Sequence, residues 1–198
     1  MAGLNSRQLL AGAWVKIPLT EITERNMKRR TLLAGFAALP FLQWRSALAG
    51  ETEANAAEME FTVLDKPKAE WKKLLEPARY SILFEEDTER PGSSPLNQEK
   101  REGLFICAAC YLPIFDARHK YESGTGWPSF TRPIEGRLGT KLDFKLVWPR
   151  TEYHCARCGG HQGHVFDDGP PPRGERWCNN GLALLFVPQG KPLPTLRV

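Results

Sequence analysis

Five cysteines occur in this 198-residue chain, and their spacing divides them between two kinds of chemistry. Four form Cys-x-x-Cys pairs, Cys107/Cys110 and Cys155/Cys158, each after residues that read as a strand. Such a turn points two sulfurs at one spot, so two turns supply the tetrahedral sulfur set that Zn²⁺ prefers. The alternative is a pair of disulfides, open to a chain that reaches an oxidising compartment. The 44 residues between the pairs exceed the common ribbon spacing, yet the ligand types favour structural zinc. A closed four-sulfur shell leaves no position for substrate, so that site is a staple. Cys178 stands apart, in Arg176-Trp177-Cys178-Asn179-Asn180. If 176–187 is a strand, Arg176, Cys178 and Asn180 share one face, continued by Leu182, Leu184 and Phe186. The guanidinium then favours the nucleophilic thiolate, and the amide can hydrogen-bond the sulfur or a bound substrate. The blander reading is a buried cysteine acting as a small hydrophobe. The polar neighbours argue against it.

Two further clusters carry chemistry. Ser123-Gly-Thr-Gly-Trp127-Pro-Ser-Phe130 combines flexible glycines, an aromatic and a rigid proline, and can hold an indole at a pocket wall; a tight turn with a packed tryptophan explains it equally. The stretch from Gly160 through His161 and His164 to Asp168 and Pro170 puts two of the chain's four histidines in one glycine-rich segment. Histidines so placed are candidate proton donors near neutral pH, the cysteines already completing a metal shell. His119 and His154 read as ordinary surface or packing residues.

The elements that must position these groups are mainly β. Trp71, Leu74 and Leu75 recur at helical spacing within Lys68 to Glu76, and Pro77 can open a second helix that buries Tyr80, Leu83 and Phe84. Arg90 to Pro95 is a loop by its breaker content. Leu104-Phe-Ile106 leads as a strand into the first cysteine pair, and Leu142 to Trp148 alternates apolar and polar residues with period two. Leu182 to Val187 is apolar on both faces, as a central strand should be.

Composition fits one globular domain, with 41% hydrophobic and 25% charged residues. The net charge of +4 is concentrated in residues 1–49, which hold seven basic and two acidic groups and leave 20 basic and 21 acidic groups beyond. A near-neutral body gives no electrostatic reason to expect nucleic acid. The leader instead reads as a secretory signal: Lys28-Arg29-Arg30-Thr-Leu-Leu33 opens 14 uncharged residues, and Ala47-Leu-Ala49 offers a cleavage site. The adjacent arginines point to twin-arginine export and a periplasmic location, with Met27 as an alternative start. An amphipathic or anchoring N-terminal helix is the competing reading. The apolar run falls short of the roughly 20 residues that span a bilayer, so no stable membrane anchor is expected. The expected layout is a signal region over 1–49, a spacer over 50–60, a domain over 61–190 and a tail over 191–198.

Taken together, Cys107–Cys110, Ser123–Phe130, Cys155–Phe166, Asp168-Gly-Pro170 and Arg176–Asn180 resemble the methionine sulfoxide reductase B family. The likeness spans about residues 60–188. It implies a β-tent-like pair of antiparallel sheets with a zinc-stapled core, short N-terminal helices, and reduction of the R epimer of methionine sulfoxide in oxidised proteins or as the free amino acid. It further implies attack by Cys178, proton donation by His161 or His164, and a Cys178 pKa lowered by Arg176. Asp168 and Asn180 would orient water, histidine or substrate, with Trp127 and Phe130 as substrate contacts. Many family members carry a resolving cysteine where this chain has Thr125. Its absence implies that an external thiol, such as a thioredoxin-like protein, reduces Cys178. A monomer is expected. Two rival readings are a zinc-dependent binding module on the same scaffold and a thiol–disulfide oxidoreductase working through metal-free Cys-x-x-Cys pairs.

Overall fold

The computed structural model describes residues 53–145 and 148–198; the leader and the first residues of the spacer lie outside them. Helices α1 (Lys68–Leu74) and α2 (Pro77–Glu85) precede nine strands. Proline at the first position of α2 costs nothing, because its missing N–H would have had no intrahelical partner, and Glu86 closes the helix in the left-handed region at φ 57°. Trp71 of α1 stacks on Phe84 of α2 at 5.3 Å between ring centroids. Leu74, at helical spacing with Trp71, is half exposed, and within this short helix only Trp71 is buried.

The strands are β1 (Gly103–Cys107), β2 (Pro113–Asp116), β3 (Lys120–Tyr121), β4 (Ser129–Phe130), β5 (Leu138–Asp143), β6 (Arg150–Cys155), β7 (His161–Phe166), β8 (Arg176–Asn179) and β9 (Leu184–Pro188). They form two antiparallel sheets, β2-β1-β9 and β3-β4-β8-β7-β6-β5. The mainly β architecture of two antiparallel sheets with few helices is therefore as expected. Aromatic rings fasten sheet to sheet. Phe130 of β4 stacks on Phe115 of β2 at 4.0 Å and meets Phe105 of β1 edge-on at 5.0 Å. Each such fully buried ring contributes about 1.5–3 kcal/mol by removal from water.

Three expectations about strands are corrected. Leu182 to Val187 is not a central strand: β1, buried at every residue, is central and β9 lies at an edge. Nor does one strand run from 176 to 187. The chain leaves the larger sheet after Asn179, makes a 3₁₀ turn over Gly181–Ala183, and enters the smaller sheet as β9. Leu182, Leu184 and Phe186 therefore do not extend the face of Cys178. The stretch Leu142 to Trp148 is mostly outside a strand, since β5 ends at Asp143. Leu142, Phe144 and Trp148 are 63%, 69% and 80% exposed, whereas Asp143 between the first two is 7% exposed.

Both flanks of the expected domain are engaged. Ala56 is buried, and the Arg137 guanidinium donates to the carbonyls of Ala56 and Ala57. At the other end the Arg197 backbone N–H donates to the Cys110 carbonyl at 3.1 Å, and Arg157 donates to the carbonyls of both Cys110 and Arg197.

Candidate active site

Antiparallel pairing fixes which side chains can meet. In the larger sheet Ser129, Cys178, His164, Glu152 and Lys141 are successive cross-strand partners from β4 to β5. Two residues along, Arg176 faces Phe166, and Asp143 faces Arg150. Because side chains alternate, both rows lie on one face of the sheet. The opposite face carries Phe130 and Trp177, which pair with each other. Phe130 is thus a core residue, fully buried against Phe115 and Phe105, and not the substrate contact expected of it.

Strict alternation would place His161 and His164 on opposite faces. A β-bulge prevents this: His154 pairs with His161 while Tyr153 pairs with Gly163, so Gln162 is the extra residue. The two rings consequently lie 5.4 Å apart. Gly163 allows the close approach of β7 to β8, since a Cβ there would sit 1.9 Å from the Cys178 carbonyl oxygen.

Cys178, His164, Trp127, Asn179, Asn180, Thr88, Arg150 and Phe166 surround a cleft of ≈ 120 Å³. A larger cavity of ≈ 260 Å³ between residues 55–59 and the β1/β9 edge has no cysteine or histidine in its wall. Trp127 is held by its indole N–H, which donates to the Glu89 carbonyl at 3.2 Å. Glu89 is buried and also joins the other wall. Its backbone N–H donates to Asn180 Oδ1, and its carboxyl oxygens accept from the backbone N–H groups of Gly181 at 2.6 Å and Leu182 at 2.9 Å. The Asn180 amide, which also donates to the Gln162 carbonyl, is thereby committed to building the wall. With one N–H of that amide still unengaged, Asn180 borders the cleft together with Cys178.

Burial raises the pKa of the Cys178 thiol; Arg176 and the Thr125 side chain oppose the shift without overcoming it. Arg176 acts in the direction the sequence predicted, but the free protein holds Cys178 above an ordinary cysteine, so its proton must be drawn away during reaction. Thr125 is itself placed by Ser123, whose hydroxyl lies 2.8 Å from both Thr125 Oγ1 and Ser129 Oγ. Asp168 fixes the guanidinium: Arg176 donates to its two carboxylate oxygens at 2.7 and 2.9 Å and lies over Phe166 at 4.3 Å. Asp168 therefore orients Arg176 and not a histidine.

His164 lies at the cleft, and burial lowers its pKa despite a hydrogen bond to Asp143 that opposes the shift. His161 is buried one position behind, with Nδ1 3.0 Å from Glu152 Oε1, and does not reach the cleft wall. Of the two candidate donors, the geometry presents His164. Asp143, Arg150, Glu152 and Glu89 have no motif around them, and sequence reasoning missed all four.

The four paired cysteines are all buried, and their sulfurs lie within 4.8 Å of one another. Cys107 and Cys158 are 3.7 Å apart and Cys110 and Cys155 3.6 Å, close to the ~3.8 Å edge of a tetrahedron with Zn–S bonds of about 2.3 Å. A disulfide needs about 2.05 Å, so the paired-disulfide alternative does not describe this geometry. Burial pushes the Cys107 thiol well above its ordinary range, which disfavours a thiolate there unless a cation compensates. Gln162 Nε2 lies 3.5 Å from Cys107 Sγ and lends a polar donor. The donor set fits zinc.

Comparison with known proteins agrees with this arrangement. The family model described as "SelR domain" matches residues 75–188. "Peptide methionine sulfoxide reductase MsrB" of Pseudomonas entomophila (strain L48) is 45% identical over 127 residues, covering 64% of this chain and 97% of that protein. The protein of the same name from Methanosarcina barkeri (strain Fusaro / DSM 804) is 46% identical over 124 residues, covering 62% of this chain and 87% of the relative. "Peptide methionine sulfoxide reductase B1, chloroplastic" of Arabidopsis thaliana is 45% identical over 131 residues, 66% of this chain and 64% of its own. With more than half the chain inside the domain and nearly half of the aligned residues shared, this protein belongs to the methionine sulfoxide reductase B family.

Proposed function

We propose that the protein reduces the R epimer of methionine sulfoxide, in oxidised proteins or as the free amino acid, to methionine. One observation carries this reading: Cys178, His164 and Trp127 border a single cleft that excludes the four paired cysteines. Cys178 is left free to be the nucleophile.

The Cys178 sulfur attacks the sulfoxide sulfur to form an S–S bond, and His164 supplies the proton that lets the oxygen leave as hydroxide; that hydroxide then bonds the Cys178 sulfur as the S–S electron pair departs with the thioether. Trp127, fixed by its N–H, offers a rigid apolar wall to the substrate methyl group. In sum, Cys178–SH and the sulfoxide give Cys178–SOH and the thioether; two electrons pass from the cysteine sulfur to the substrate sulfur. Two external thiols, as on a thioredoxin-like protein, then return Cys178 to the thiol with release of water and their own disulfide. Zinc held by Cys107, Cys110, Cys155 and Cys158 supplies a structural cross-link. The basic leader directs the chain to export through the twin-arginine route, so the repaired proteins lie outside the cytoplasm.

Separated R and S sulfoxide epimers test the assignment by chromatographic product assay with a thiol reductant. Turnover of R alone is expected; equal turnover of both overturns it. Thr125 offers a second check, since its side chain acts on the Cys178 thiol. In Thr125→Cys, a single turnover without external thiol is expected to end as an intramolecular disulfide in most molecules, seen by non-reducing mass spectrometry. The parent should stop at a dimedone-reactive sulfenic acid.

A further inference from the structure

Asp143 ends the outer strand of the larger sheet and is 35 positions from Cys178 in sequence, yet it touches the reacting group's partner. His164 Nε2 lies 2.8 Å from Asp143 Oδ2. The same oxygen accepts from the Arg150 guanidinium at 2.8 Å, and Oδ1 accepts from the Lys145 backbone N–H at 2.9 Å. Three donors converge on one buried carboxyl. The Lys145 N–H first, with His164 and Arg150, holds it far below the usual carboxylate range despite burial. An ionised carboxylate has no proton to give, so the shared hydrogen must sit on His164 Nε2. The neutral ring then has its lone pair on Nδ1, and His164 and Cys178, paired across adjacent strands, both border the cleft.

We propose that Asp143 is a positioning residue for the reaction: it fixes His164 as the Nε2–H tautomer, so that Nδ1 takes the Cys178 proton and passes it to the sulfoxide oxygen. The inference rests on the reading of Cys178 as nucleophile. The S–H bond breaks with its electron pair left on sulfur, and an N–H bond forms at Nδ1. The imidazolium keeps its Nε2–H on Asp143. That Nδ1–H then breaks as an O–H bond forms on the sulfoxide. One proton has moved from sulfur to oxygen, and none is consumed from solvent. The other ionisable groups around the ring are Arg150 and Glu152 on β6, His161 on β7, and Arg176 with Cys178 on β8. Only Asp143 is in hydrogen-bond contact with His164 among the described residues.

Long-range ¹H–¹⁵N correlations on ¹⁵N-histidine-labelled wild type read the tautomer directly, and the Nε2–H form is expected for neutral His164. An Nδ1–H form overturns the proposal, whether or not any variant folds. In Asp143→Asn the tautomer preference should be lost, and single-turnover oxidation of Cys178 should slow by roughly 10²-fold or more with little change in KM. Asp143→Glu should restore the tautomer and part of the rate. A purely structural carboxylate would leave the tautomer unmoved in Asp143→Asn, and an unchanged rate there also refutes the role. Cys178→Ser separates the two readings. Activity that survives it sinks the nucleophile assignment with the tautomer intact, whereas a wrong tautomer in an active wild type sinks only the role of Asp143.

Discussion

Cys178→Ser is expected to abolish sulfoxide reduction, a loss of at least ~10³-fold, while zinc content and Tm remain those of the parent. The size of the loss follows from the double duty of the sulfur. It attacks the substrate, and it is also the atom that gives up two electrons and ends bonded to oxygen. A serine hydroxyl cannot replace it as reductant, so no slower version of the same route is open. Stability should change little, because the half-buried side chain of Cys178 belongs to neither the metal cluster nor the stacked aromatic core. Exchanging a thiol for a hydroxyl beside Thr125 and Arg176 costs about 1 kcal/mol or less. Epimer-resolved product assay together with calorimetry decides the matter. A folded, zinc-loaded and active serine variant contradicts the assignment.

The second large effect is on folding. Removing zinc by chelation, or cutting one ligand in Cys107→Ser, is expected to lower Tm by tens of degrees or abolish the cooperative transition. The turn holding Cys107 and Cys110 leaves β1 of the smaller sheet, and that holding Cys155 and Cys158 joins β6 to β7 of the larger one. The cluster therefore ties the two layers together across a sequence separation of 51 between Cys107 and Cys158. Zinc binding in small metal-dependent domains supplies an apparent 10–16 kcal/mol, roughly the whole 5–15 kcal/mol stability of a typical domain. Metal analysis should return one zinc per chain. A metal-free protein that melts where the parent does would exclude the staple.

Much of the site was legible because its side chains sit in short motifs. The cysteine pairs, Trp127, His164, Arg176 and Cys178 all come from local patterns, and Arg176 with Cys178 follows from the period of two. What failed was placement that depends on non-local pairing. His161 and His164 share a face through a bulge at Gln162, which no residue type announces. Leu142 and Phe144 carry the apolar half of an alternating pattern yet face outward. Asp143 takes the inward place because His164, Arg150 and the Lys145 N–H meet it there. Alternation gives the two faces but not which is covered, and a polar site inverts the usual choice. Phe130 shows the same rule from the other side. Next to Ser129 in the most recognisable motif, it points by one step of the pleat into the core.

Glu89 has the widest reach of the residues that no motif marked. By suspending the indole from its main-chain oxygen and the turn after Asn180 from its side chain, it makes two jaws of the cleft a single mechanical part. Damage at either jaw must then be transmitted to its counterpart. Paired substitutions at positions 89 and 127 should fall short of the sum of their separate penalties, the mark of components that share one hinge pin.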